Sequence, residues 1–81
     1  MITKELLVEK FPQFKIHRAN FVTGAFYLMV HKGLSFHLDV FGEGTAKVEA
    51  FAWSVKVTEK SLKQEELIEY INKLIIEHDT Y

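Results

Sequence analysis

The sequence contains no cysteine, a single proline and only four glycines among its 81 residues. The absence of cysteine excludes a disulfide framework and a thiolate metal site. No apolar stretch approaches the roughly 20 residues that a membrane-spanning helix needs. The first eleven residues carry four charges, which does not fit a secretory signal. We therefore expect a soluble, cytoplasmic protein that has no membrane partner.

The two signs of charge nearly balance, since the formal net charge is −1. The charges are unevenly distributed, however. Residues 10–32 contain four cations and no acid, whereas residues 58–81 contain six acids and three lysines. This asymmetry can orient two copies or steer a partner, although solvated faces of different composition explain it more simply. With 48% hydrophobic and 26% charged residues, the composition is that of one globular domain, which we place at residues 1–81.

Apolar and polar residues alternate through the middle of the chain, which indicates strands with one covered face. Glycine-bearing connectors at 32–33 and 42–44 are typical of hairpins. A three-residue loop at 42–44 gives Gly44 the left-handed conformation that such loops need, and it aligns Asp39 with Lys47. The strands predicted in this way are Ala25–His31, Leu34–Phe41 and Thr45–Val57.

Helical periodicity is found at both ends of the chain. Thr3 is placed to cap a short first helix that Pro12 ends. The residues Ser61 to Gln64 have the form of a capping box, which predicts that the last helix begins at Ser61. The apolar stripe of this helix consists of Leu67, Ile68, Ile71, Leu74, Ile75 and His78.

We therefore predict an α+β fold: an antiparallel three- to four-stranded meander with the N- and C-terminal helices packed on one face, in the order α-β-β-β-β-α. The first strand, at 14–22 with a turn at Thr23-Gly24, competes with a bulge or loop at 18–20. Without that strand, the element order resembles that of double-stranded-RNA-binding domains, which grip phosphates through lysines at the start of the last helix. Residues 60–66 place acids there, so the resemblance covers the order of elements only.

One sheet face, which we call the open face, is left without a helix in this prediction. Its apolar extent exceeds the few hundred square ångströms that a monomer normally exposes. Tryptophan and phenylalanine at the centre of such a patch are the residue types that anchor interfaces. The predicted partner-binding residues of the open face are Phe26, Leu28, Val30, Phe41, Phe51, Trp53 and Val55, interrupted by His37, Asp39, Lys47 and Glu49.

The first functional hypothesis is a small non-catalytic protein-interaction module, such as an adaptor, regulator or inhibitor, that self-associates as a homodimer through the open face. Cover of that face by the chain itself is the simpler alternative. A second hypothesis is a single-stranded nucleic-acid binder that stacks bases on the strand aromatics beside Arg18, Lys15 and Lys32. A third is a small ligand-binding protein or enzyme with its site at a dimer seam, built on His37 and Glu49.

The four histidines are the first candidates for metal or catalytic chemistry in the sequence. His17 and His37 lie on strands that a third strand separates, roughly 10 Å apart, and no third ligand accompanies them. No serine, threonine or cysteine nucleophile is placed beside His37 and Glu49. We therefore predict no catalytic residue, no metal and no cofactor.

Overall fold

The computed structural model describes residues 2–78, in which helices flank a run of five strands. The α+β class and the terminal helices are as predicted, but the sheet has five strands rather than three or four. No helix in the described part of the chain is both long enough and apolar enough to cross a bilayer. The elements are α1 Lys4–Lys10, β1 Lys15–Phe21, β2 Gly24–His31, β3 Leu34–Phe41, β4 Thr45–Ala52, β5 Val55–Lys63, a 3₁₀ turn Gln64–Glu66, and α2 Leu67–Glu77.

The strands form a simple antiparallel meander in the spatial order β1-β2-β3-β4-β5. The predicted hairpins are confirmed in register at both central connections. His31 pairs with Leu34 across the two-residue turn between β2 and β3, and Asp39 lies opposite Lys47 across the three-residue loop between β3 and β4. Gly44 has a φ of 98°, the left-handed conformation for which a side chain is penalised.

The first strand is confirmed, because residues 15–21 pair with β2 along their whole length. The predicted turn at Thr23-Gly24 is wrong by one residue, since Phe21 pairs with Gly24 and the turn is formed by Val22 and Thr23. The carbonyl of Thr23 accepts a hydrogen bond of 2.8 Å from the amide of Gly42. This bond ties the β1–β2 turn to the neighbouring loop between β3 and β4.

Both helices pack on the same face of the sheet. The hydroxyl of Thr3 accepts a 3.1 Å hydrogen bond from the amide of Leu6, so the predicted N-cap of α1 is present. On α2 the predicted stripe faces the sheet, and small alanines on β4 allow the helix to approach. The largest fully buried side chains are Tyr27, Phe11, Phe36, Leu7, Met29, Leu38, Leu67, Ile71 and Val48.

The prediction of one long strand over Thr45–Val57 is wrong. The chain reverses at Trp53-Ser54, where both residues have a positive φ, of 51° and 71°. Residues 55–63 then return as β5 beside β4. Two consecutive residues of positive φ match the right-handed twist of hairpin strands, but Asn-Gly is the usual pair there and Trp-Ser is not.

The predicted capping box at Ser61 is also wrong, because Ser61 lies inside β5 opposite Lys47. The last helix is entered through the 3₁₀ turn instead. Glu66 Oε1 accepts a hydrogen bond of 3.2 Å from the amide of Lys63, two residues further along the chain than predicted. The α-helix proper begins at Leu67.

Gln64, whose side chain was expected to cap the helix, joins distant parts of the chain through both its side chain and its backbone. Its Nε2 donates a 2.6 Å hydrogen bond to the carbonyl of Phe41. Its Oε1 lies 3.4 Å from the amide nitrogen of Ile2, which donates to it. The backbone amide of Gln64 in turn donates to the carbonyl of Gly44 at 3.0 Å. One residue therefore connects the N-terminus, the β3–β4 loop and the entrance to α2.

Replacing Gln64 with alanine should lower the free energy of unfolding by about 1–2 kcal/mol, because the Phe41 carbonyl and the Ile2 amide lose a partly buried partner. Urea unfolding followed by circular dichroism measures the change. Glu65→Ala, an exposed neighbour in the same turn, is the matched control. Equal midpoints for Q64A and E65A would contradict this role for Gln64.

Candidate functional site

The open face is the only large surface on which the sheet lies bare of the elements between residues 2 and 78. Along β2, β3 and β4, side chains alternate between fully buried and half-buried positions. The buried set faces the helices and belongs to the core cluster. The half-buried set, on the opposite side, is screened only by its own neighbours in the sheet. The predicted open face is therefore uncovered in the single chain.

An aromatic group occupies the centre of the open face. The ring of His37 lies 4.7 Å from the ring of Phe51 in a tilted arrangement, and 5.7 Å from the ring of Phe26 in an edge-to-face arrangement. Phe26 and Phe51 lie on β2 and β4, diagonally across β3, which is within the reach of aromatic side chains. Leu28 pairs directly with His37 and completes the group.

Trp53 closes one end of the open face. Its indole lies against Gly33, where an added Cβ would come within 2.4 Å of Trp53 Cε2. The amide of Trp53 also donates a 2.7 Å hydrogen bond to the Gly33 carbonyl, so the two turns at this end are joined. Even so, Trp53 remains 62% exposed. A bulky residue in a left-handed conformation costs about 1–2 kcal/mol, and here it presents an aromatic surface to solvent.

The open face is concave next to Trp53. A depression of about 440 Å³ lies between the indole and the central aromatic group, with both apolar and polar lining. Lys32 and Ser54 are among the residues that line it. The other residues that line it are Leu28, Val30, Gly33, Ser35, His37, Phe51 and Trp53.

Phe21 and Phe41 form the other end of the open face. Their rings are 6.1 Å apart in an edge-to-face arrangement, and Phe21 is 38% exposed. Sequence reasoning placed Phe41 on this face but missed Phe21. Alternation along β1 could have found it, since residues 15, 17, 19 and 21 share one face.

The flank of the open face on β4 and β5 carries an ion-pair network. Register places Glu49 directly opposite Glu59, an arrangement that is destabilising unless it is compensated. Lys56 Nζ lies 3.0 Å from Glu49 Oε2 and 2.6 Å from Glu59 Oε1. Lys47 Nζ contacts the same two carboxylates at 3.9 Å and 3.6 Å. The four charges alternate in sign and sum to zero.

The network shifts the titration of its two most exposed members. The hydrogen bond from Lys56 and the positive charge of Lys47 lower the pKa of Glu59 below its usual 4.5. The hydrogen bond to Glu59, followed by that to Glu49, raises the pKa of Lys56 above 10.5. Glu59 and Lys56 therefore stay charged near neutral pH, and they are bonded to each other.

Two residues singled out in the sequence lie elsewhere. Val55 was assigned to the open face by alternation through one continuous strand, but it pairs with Ala52 across the Trp53-Ser54 turn, on the side of the helices. Arg18 pairs with Tyr27, whose ring lies on the buried side, and the guanidinium carbon is 6.0 Å from that ring centre. The structure thus separates Arg18 from the aromatics of the open face.

The histidines do not assemble a metal site in the described part of the chain, where no group of three His, Cys, Asp or Glu side chains could hold an ion. His37 and Glu49 are register neighbours, as predicted. The carboxylate of Glu49 is bonded to lysines, whereas His37 packs on phenylalanines. The geometry therefore gives His37 aromatic partners rather than an orienting carboxylate.

Replacing Glu59 with glutamine should lower the melting temperature at neutral pH and leave it unchanged in strong acid. A group whose pKa is lowered by folding stabilises the fold above its unfolded pKa, here about 4.5, and this contribution is lost as the pH falls through the lowered value. The melting temperature of the wild type should therefore exceed that of Glu59→Gln at pH 7, and the two should converge as the pH falls below the lowered pKa of Glu59.

Glu9→Gln is the matched control, since Glu9 is exposed on α1 and forms none of the ion pairs found within residues 2–78. This variant should melt close to the wild type at both pH values. A difference between wild type and E59Q that stayed constant with pH would contradict the network.

Comparison of the chain with known protein families, with curated proteins and with solved structures finds no significant match.

Proposed function

We propose that this chain is a non-catalytic protein-interaction module that self-associates as a homodimer through its open face. The observation that carries the proposal is the aromatic group at the centre of a sheet face from which both helices are absent. Half-buried Phe26, Leu28 and Phe51 surround His37 there, and Trp53 stands 62% exposed at the edge. Aromatic residues in a central, water-excluding patch are the typical anchors of protein interfaces.

The size of the open face supports a dimer. Five strands spaced about 4.8 Å apart, each of about eight residues at 3.4 Å, give a footprint of roughly 650 Å². A standard protein interface buries about 800 Å² on each partner. Because side chains make the accessible area of such a face larger than its flat footprint, one open face is close to the area that a specific complex needs.

The ion-paired charges on the β4–β5 flank of the open face favour a second copy over a strongly charged partner. In a two-fold interface each patch meets itself, so a patch of one sign would repel its twin. The four ion-paired residues of β4 and β5 sum to zero. Their lysines are held by carboxylates of the same chain, so these lysines are not free for the phosphates of a nucleic acid.

Placing a charge at the centre of the open face should dissociate the dimer. Phe51→Glu inserts a carboxylate into the aromatic group and should weaken association by about 2 kcal/mol or more, about 30-fold. Trp53→Ala should weaken it in the same direction by removing the aromatic edge. Sedimentation velocity over a concentration series measures both effects, with circular dichroism to verify folding.

Ile76→Glu is the matched control, because Ile76 is 76% exposed on α2, away from the open face. This variant should associate as the wild type does. Association that was unchanged in both Phe51→Glu and Trp53→Ala would exclude the open face as the interface. A folded wild type that stayed monomeric at millimolar concentration would exclude self-association.

A further inference from the structure

His37 occupies the geometric centre of the open face. It lies on β3, the middle strand of five, and it is the fourth of the eight residues of that strand. Its ring is held between those of Phe26 and Phe51. As a neutral imidazole it extends their aromatic surface, whereas as an imidazolium it would place a cation in the middle of an apolar group.

The charged groups near His37 offer it little compensation. On β4, Glu49 lies directly opposite, but its carboxylate is 3.0 Å from Lys56 Nζ and 3.9 Å from Lys47 Nζ. Along β3, Asp39 lies two residues away on the same face, opposite Lys47. His17 is the nearest titratable residue on the β1 side, across Leu28. Neither helix packs on this face.

A two-fold interface brings the centre of a patch against itself. If two open faces meet, the two His37 rings therefore lie close together between the sheets. Histidine is the side chain that ordinarily changes charge between pH 5 and 8. Protonation would then bury two like charges side by side, each cut off from the water that solvates it in the monomer.

We infer that the homodimer of this chain is controlled by pH through His37, and that it forms when the two imidazoles are neutral and dissociates when they are protonated. This inference rests on the proposed self-association through the open face. Because the dimer excludes protons that the monomer binds, its dissociation constant rises as the pH falls. Glu59 does not compete over this range, since its lowered pKa keeps that carboxylate charged at pH 5.

The test is the dissociation constant of the whole chain at pH 7.5 and at pH 5.0, measured by sedimentation equilibrium at constant ionic strength. The wild type should bind itself about tenfold or more weaker at pH 5.0. His37→Phe, which keeps an aromatic ring but cannot be protonated, should give the same constant at both pH values. His17→Phe, a histidine substitution at the rim of the same face, should keep the pH dependence of the wild type.

The outcomes distinguish the proposed homodimer from its control by pH. A wild type that is monomeric at pH 7.5 overturns the proposed function, and this inference with it. A dimer of equal strength at both pH values leaves the function standing and overturns the inference, as does a pH dependence that persists in His37→Phe. If His37→Phe does not fold, as judged by circular dichroism, His37→Gln makes the same comparison.

Discussion

The fold depends on the packing of both short helices against the same face of one sheet. Both α1 and α2 pack on the face that carries the small alanines of β4 and the large side chains of β2 and β3. Burying a large apolar side chain stabilises a fold by about 1.5–3 kcal/mol, and the fully buried residues all belong to this layer. Because both helices pack on that face, the phenylalanines of the open face stay half-exposed. The functional proposals depend on this exposure.

The open face is built as two halves with different chemistry. Around β2, β3 and Phe51 of β4 it is aromatic and aliphatic, whereas four charges on β4 and β5 neutralise one another. The strained turn at Trp53-Ser54 and the close approach of Trp53 to Gly33 fix the aromatic edge of the first half. Trp53 is thus an exposed residue in a disfavoured backbone conformation, which supports the proposed interface because strain tends to persist where function requires it.

Much of the sheet was predictable from the sequence because its period-2 pattern and its glycine turns are local signals. The registers at His31–Leu34 and Asp39–Lys47 follow from them, and so does the face that carries Phe26, Phe41 and Phe51. The fifth strand was missed because Trp53-Ser54 lacks the residues that normally mark a two-residue turn. Strand length was the available signal, since thirteen residues at 45–57 exceed the usual three to ten.

The start of the last helix was misplaced for a related reason. Ser61 and Gln64 have the spacing of a capping box, but long-range pairing with β4 holds Ser61 in β5 and directs the side chain of Gln64 to Phe41. Tertiary contacts between residues 19 to 62 positions apart overrode a local preference worth about 1 kcal/mol. The ion-pair network was equally hidden, because it needs the unpredicted strand β5.

The central claim is that the open face is exposed in one chain and buried by a second. NMR signal attenuation by a soluble paramagnetic probe tests it on methyl groups, in a dilute and a concentrated sample at pH 7.5. Leu28 and Val30 lie on the open face, whereas Val8 and Ile76 are exposed on the helices. The account predicts that Leu28 and Val30 become protected on concentration while Val8 and Ile76 stay accessible. Leu28 and Val30 methyls that remained equally accessible at both concentrations would contradict it.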